Sequence, residues 1–309
     1  MLPETQEQIS TIRQFNRYYT NLLGVLDRHF LAGSLPLPEV RVLHEIGRTP
    51  GCTSKTLSSQ LQMDAGYFSR ILKRLETSGF LEKSPSPEDG RAQCLALTPA
   101  GRAQWEAYNR RSNEQIEQLL RPLPPSRRAA LVCNMSSIET ALTCGKGLRL
   151  SDITVRDELR PGDIGAVSAL HGWAYREEYG YSFAFEADVA TSLAHFLHHY
   201  DPGHDRLWCA EHHGQLAGCI GLTDEKTHAQ LRWFVLDPLY RGLGLGKQLL
   251  QTALEHARKN GFAEARLDTT SDLRRAIGLY EKAGFQKTGE APRPAWREGL
   301  RIYQFSLKL

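Results

Sequence analysis

Residues 241–246 read Arg-Gly-Leu-Gly-Leu-Gly, between an apolar run, Leu231–Leu236, and a segment with helical periodicity. Glycines at 242, 244 and 246 open backbone conformations closed to other residues and let the main chain approach a ligand closely. A loop of this kind entering a helix aims several amide N–H groups at one point, an arrangement that holds phosphate. A dinucleotide fingerprint starting at Gly242 needs glycine at 247, where Lys247 stands. A P-loop ending in Gly246-Lys247 needs glycine at 241 and Ser or Thr at 248, where Arg241 and Gln248 stand. The spacing that does fit is an Arg or Gln followed after three and five residues by small residues, met by Arg241, Gly244 and Gly246.

A loop needs elements to hold it. Around it the sequence alternates between period-2 and helical patterns: Arg206–Glu211, Leu216–Leu222 and Leu231–Leu236 read as strands. Gly246–Lys259 then reads as a helix, Ala265–Thr269 as a strand and Arg274–Ala283 as a helix. Before residue 145 helical periodicity dominates, with one short strand pair around Phe80–Lys83 and Gln93–Leu97. At 309 residues, two domains are expected, residues 1–145 and 150–309, joined at the glycine-rich Cys144–Gly147. Charge divides as well: residues 1–149 carry 19 Lys and Arg against 14 Asp and Glu, residues 150–309 carry 19 against 21. A basic first half beside a slightly acidic second half hints at nucleic acid at one end only.

Other classes fall away. No apolar stretch is long enough to span a membrane and no basic-then-apolar leader opens the chain, so no membrane partner is expected. The six scattered cysteines form no C-x-x-C pair, which fits free thiols in a reducing cytoplasm. His195, His198 and His199 lack an acidic or Cys partner at ligand spacing, so no metal is expected.

The basic half has its own pattern. Thr53 or Ser54 is placed to cap a helix through Gln60, and Asp64 to cap a second from Ala65 to about Ser78, ended by Gly79. Phe68, Ile71, Leu72 and Leu75 form its buried stripe. Gly66, Tyr67, Ser69, Arg70, Lys73 and Arg74 face outward or lie at the edges. Such a helix pair followed by strand–loop–strand, with Pro85, Pro87, Asp89, Gly90 and Arg91 in the loop, suits the major groove and a minor-groove wing. DAGYFSRILKRLETSGFLEKSPSPEDGR resembles the MarR family of winged helix-turn-helix regulators over residues 5–143. The resemblance implies a double-stranded DNA operator as partner, Asp89 as the wing's buttress and Arg91 as its tip contact. It also implies a homodimer formed by Gln6–His29, Pro99–Leu120 and Pro124–Thr143.

In the other half VLDPLYRGLGLGKQLL and RAIGLYEKAGF resemble the GNAT superfamily of N-acetyltransferases over residues 150–309. The resemblance implies an α/β fold with a mixed, splayed central sheet and acetyl-CoA as co-substrate. The amides of Arg241, Gly242, Leu243, Gly244, Leu245 and Gly246 would hold its pyrophosphate, and Phe234, Val235 and Leu236 would pair with the pantetheine arm. Tyr280 matches the acid that protonates the departing thiolate. Two departures stand out: Leu273 replaces a common asparagine, and the strand 229–236 carries no glutamate to act as base. That role falls to a water chain or to Glu177, Glu178 or Glu186, and is left unassigned. Arg232, Tyr175 and Glu178 are candidates to contact the acceptor, a small amine or amino acid. The expected function is a regulator and acetyltransferase in one chain; the alternative is a transcription factor whose second domain only senses acetyl-CoA or a metabolite.

Overall fold

The computed structural model describes residues 3–25, 30–85, 93–292 and 295–309. They form two compact units, Met1–Pro124 and Pro125–Leu309.

In the first unit α1 (Pro3–Leu22) precedes α2 (Leu37–Arg48), α3 (Ser54–Gln60) and α4 (Ala65–Thr77). The short helices start where their caps require: Thr53 Oγ1 accepts the Thr56 N–H and Asp64 Oδ1 the Tyr67 N–H, at 3.3 and 2.9 Å. Phe68, Ile71, Leu72 and Leu75 of α4 turn inward as their spacing predicts, joining Val42, Leu43, Ile46, Leu57 and Leu95 in one core. β1 (Leu81–Pro85) and β2 (Gln93–Leu97) pair antiparallel. α5 (Pro99–Leu120) follows at once, capped by Thr98, whose hydroxyl also donates to the Gly79 carbonyl at 2.6 Å. Gly101 is required there, since a Cβ would overlap the Phe80 carbonyl oxygen. The wing loop, with Asp89 and Arg91, lies outside the described residues.

The second unit opens with α6 (Pro125–Thr143), then β3 (Thr154–Arg156), α7 (Asp163–Tyr179), α8 (Phe183–His198), β4 (Arg206–His212), β5 (Gln215–Asp224) and β6 (Ala229–Leu236). α9 (Leu245–Lys259), β7 (Glu264–Thr270), α10 (Arg274–Lys282), β8 (Gln286–Pro292) and β9 (Arg301–Lys308) complete it. The strands form one mixed sheet in the order β3-β4-β5-β6-β7-β9-β8, in which β6 and β7 are the parallel pair. One core packs α7 and α8 on the sheet through Val167, Leu170, Phe185, Leu193, Leu207, Cys219 and Val235. The other packs α9 and α10 on it through Ile220, Leu231, Leu249, Ala253, Leu267 and Tyr280. The fold is therefore a mainly α winged helix-turn-helix followed by an α/β domain with a mixed sheet, as expected.

The composition changes near residue 145, whereas the contacts divide between Pro124 and Pro125, so the two boundaries bracket α6. The reason is local to the second unit. The buried Thr140 of α6 hydrogen-bonds Tyr240, whose hydroxyl also lies 3.1 Å from His212 Nδ1. Gly145 at the helix's end sits against the Leu239 carbonyl.

Candidate functional site

The three glycines of the opening loop are needed for different reasons. Gly242 and Gly244 hold φ of 82° and 91°, the left-handed region that L side chains avoid. Gly246 has ordinary φ, but a Cβ there would press on Leu236 at 3.3 Å and lie close to Leu279 and Phe234, so it lets α9 approach the strand. The first intrahelical bond of α9 runs from Gln248 N–H to the Gly244 carbonyl, which leaves the amides of Leu245, Gly246 and Lys247 without helical partners. No atom stands within 4 Å of the Cβ position at Gly242. Open space over orphan amides at a helix N-terminus fits a diphosphate. The Arg241 side chain turns the other way, donating to the Leu236 carbonyl at 3.0 and 3.3 Å and to Glu178 at 2.7 Å.

The strand leading to the loop is bent. β6 pairs with β7 only from Ala229 to Leu231 and then parts from it. Its pairing with β5 shifts register opposite Ile220, and Trp233 takes φ of 49°, so a β-bulge sits where the two strands separate. Gly221 makes room for the Trp233 ring, and the indole N–H donates to Ser192 at 2.9 Å. The edge of Phe234–Leu236 that faces away from β5 therefore lies beyond the β7 ladder. Val235 is buried against α7 and α8, and Phe234 leans toward Tyr280 with ring centroids 6.1 Å apart.

A cavity occupies the gap between β6 and β7. Leu231–Phe234 line one side, Leu267–Thr270 the other, Tyr280 and Leu273 one end, and His171, Tyr175, Phe185 and Trp296 another. Tyr280 is buried among Phe234, Phe285 and Phe305, and burial pushes its phenol up, so it holds its proton. Leu273 occupies the N-cap of α10, which begins without a side-chain cap.

The structure distributes the acceptor-side candidates unevenly. Tyr175 lines the cavity, its phenol pushed well up by burial and then by the nearness of Tyr280. Glu178 is taken by Arg241. Arg232 lines the cavity but its guanidinium is held by Thr223 at 3.1 Å and Glu225 at 2.9 Å, across the β5–β6 hairpin. Sequence reasoning passed over a network at the same end. The buried Tyr181 hydroxyl donates toward Thr270 at 2.7 Å and Asp272 at 3.0 Å, and Asp272 pairs with Arg297 at 2.9 Å. It also passed over His171, one of several aromatics in 171–186, whose burial depends on α8 and the sheet. His195 and His199 stack, centroids 4.2 Å apart, at the end of α8. Among the described residues no group of three or more His, Cys, Asp or Glu is placed to hold a metal.

On α4, Gly66, Tyr67, Ser69, Arg70 and Lys73 are exposed, with Arg70 5.9 Å from the Tyr67 ring centre. Arg74 is exposed too, but its guanidinium meets the buried Glu39 at 2.6 Å, which ties α4 to α2.

These two arrangements agree with two family models. Residues 34–92 match that of the MarR family and residues 168–285 that of the acetyltransferase (GNAT) family. The chain thus carries a MarR-family domain and a GNAT-family acetyltransferase domain. Among curated relatives, human N-acetyltransferase 8B is 36% identical over 96 residues, 29% of this chain and 42% of that protein. YjgM, an uncharacterized N-acetyltransferase of Escherichia coli (strain K12), is 38% identical over 89 residues, 28% of this chain and 53% of that protein. The chain spans about half the length of these relatives or less. Among solved structures, yncA of Salmonella typhimurium, an acetyltransferase described with its cofactor acetyl-CoA, covers 51% of this chain and 94% of its own at 20% identity and a TM-score of 0.43.

Proposed function

We propose that the second unit transfers an acetyl group from acetyl-CoA to a small amine or amino acid, and that the first binds an operator, so that one chain is regulator and enzyme. The observation that carries the enzyme reading is the continuity of the glycine loop, the splayed edge of β6 and the cavity holding Tyr280. Acetyl-CoA, when bound, supplies an acetyl group activated as a thioester. The amides of residues 242–246 hold the diphosphate, that of Arg241 being given to the Pro238 carbonyl at 3.3 Å. The edge of Phe234–Leu236, whose last carbonyl Arg241 holds, takes the extended arm as an added strand. A backbone N–H of that edge polarises the acetyl carbonyl. Tyr280 keeps a proton for the departing sulfur.

The test is a calorimetric titration with acetyl-CoA, with Gly244→Val as control. The valine needs φ near 90° and fills the space the diphosphate would use. Wild-type binding abolished in the variant supports the reading; equal binding by both overturns the loop assignment.

The regulatory half rests on the exposed Arg70 and Lys73 of α4 and on the wing. Arg91→Ala is expected to weaken duplex binding by about tenfold at moderate salt while leaving acetyl transfer unchanged, read by fluorescence anisotropy. A homodimer is favoured by unpartnered apolar stripes: Ile9, Ile12, Phe15 and Tyr18 on α1 and, separately, Val132, Met135, Ile138 and Leu142 on α6 are exposed. A chain that binds an operator and uses acetyl-CoA would act in the cytoplasm. Separately, among the described residues no helix is long and apolar enough to cross a membrane.

A second reading keeps one specific observation in its favour. Arg232 and Glu178 are both committed to ion pairs, and the central strand offers no carboxylate base. A domain that binds acetyl-CoA and only senses it would show saturable binding and no thiol release with any amine.

A further inference from the structure

The proposed reaction needs a group to take the proton from the attacking nitrogen. We infer that His171 is that general base, an inference that rests on the acetyltransferase reading. His171 sits on α7, buried, and lines the same cavity as Tyr280, Trp233 and Phe234. Its Nδ1 lies 2.8 Å from the Val167 carbonyl, one helical turn back. A carbonyl oxygen only accepts, so Nδ1 carries the hydrogen and, in the neutral ring, Nε2 carries the lone pair. The ring is held flat against Tyr175, centroids 5.9 Å apart and 7° from parallel, and tilted against Phe185 of α8 at 6.3 Å. Its tautomer and its orientation are therefore both fixed by neighbours, as a base requires.

The other acids and bases near the cavity fit the role less well. Glu178 belongs to Arg241, Glu177 is exposed and does not line the cavity, and Glu186 of α8 packs against Gly172 on α7 and does not line it either. Asp268 of β7 does line it, but is exposed and faces a second pocket as well. Among the described residues nothing fixes its orientation toward the acceptor as the helix and rings fix His171. Tyr175 and Tyr280 hold their protons. Burial lowers His171 to about 4 and raises Tyr280, so that base and acid rest neutral, one without a proton and one with it.

The step balances. As the neutral amine nitrogen forms its bond to the acetyl carbon, its proton passes to Nε2, and the C–S bond breaks. The sulfur takes the Tyr280 phenolic proton, and the imidazolium's excess proton restores the phenol through solvent. A nitrogen acquiring a bond to carbon becomes far more acidic than the free ammonium, which is why a weakly basic imidazole suffices.

The test uses the full chain and 2-phenylethylamine as probe acceptor, chosen for the aromatic wall. His171→Asn keeps an N–H where Nδ1 donates to Val167 but has no basic nitrogen. Expected are acetyl-CoA affinity within about twofold of wild type, thiol release slowed by about 10²-fold or more, and partial recovery of His171→Gly by added imidazole. Independently of activity, 15N imidazole NMR of the wild type should show His171 protonated on Nδ1 and bare on Nε2. An asparagine variant as fast as wild type, or an Nε2–H tautomer, would overturn the assignment while leaving the acetyltransferase reading intact. Wild-type protein that binds acetyl-CoA and releases no thiol with this or any other amine or amino acid would overturn both.

Discussion

Tyr280 and Leu273 stand seven residues apart on one helix and one cavity, yet only the first was readable for what it does. The tyrosine belongs to a recurrent stretch, RAIGLYEKAGF, and its burial follows from Phe285 and Phe305 closing over it. Tyr280→Phe removes the hydroxyl and keeps that packing, so kcat is expected to drop by about 10²-fold with acetyl-CoA affinity unchanged, as steady-state rates and calorimetry would show. Full activity would clear Tyr280 of the acid role. Arg232 and Glu178 show where single residues stop being legible. A cation in a strand announces itself, but its partner Glu225 is placed by the hairpin, and Arg241 reaches Glu178 across 63 positions. His171 was hidden for a related reason. On its own helix it is one aromatic among many, and only α8 and the sheet bury it.

At the scale of elements, local rules carried far. The capping residues Thr53 and Asp64 and the stripe Phe68–Leu75 located α3 and α4 to within a residue, because their periodicity and their burial agree. β4, β5, β6, β7, α9 and α10 likewise stand close to their expected spans. β8 was not expected: QKTGEAP has neither alternation nor strand composition, and pairing with β9 makes it a strand. The bulge at Trp233 was equally invisible, since it depends on Gly221 giving way to the indole ring. α10 offers a direct test of local physics. Its N-cap Leu273 takes the Ile277 N–H on its carbonyl but has no side-chain acceptor for the helix's first free amides. Leu273→Asn should raise stability by about 1 kcal/mol, a shift of a few degrees in thermal midpoint, unless lost contacts of the leucine side chain offset it. A lower midpoint would show that Leu273 is kept for the cavity wall.

For the whole molecule, two domains of unlike class were legible from pattern and charge, but not the allegiance of α6. The helix's apolar stripe, Val132 to Leu142, stays exposed and assigns it to neither unit, and its ties to Tyr240 and Leu239 arise only once the loop is folded. A fragment spanning 125–309 should therefore melt higher than one spanning 146–309, by calorimetry, and equal midpoints would show that α6 adds nothing to the second unit. The parting of β6 from β7 bears on a different hazard. A strand whose edge is left open to receive a ligand is also a template for another chain, and such edges seed aggregation. Here the exposed stretch is short, it is kinked at Trp233, and Arg232 puts a charge at its mouth. The features that open the seat also make it a poor place for a stray strand to dock.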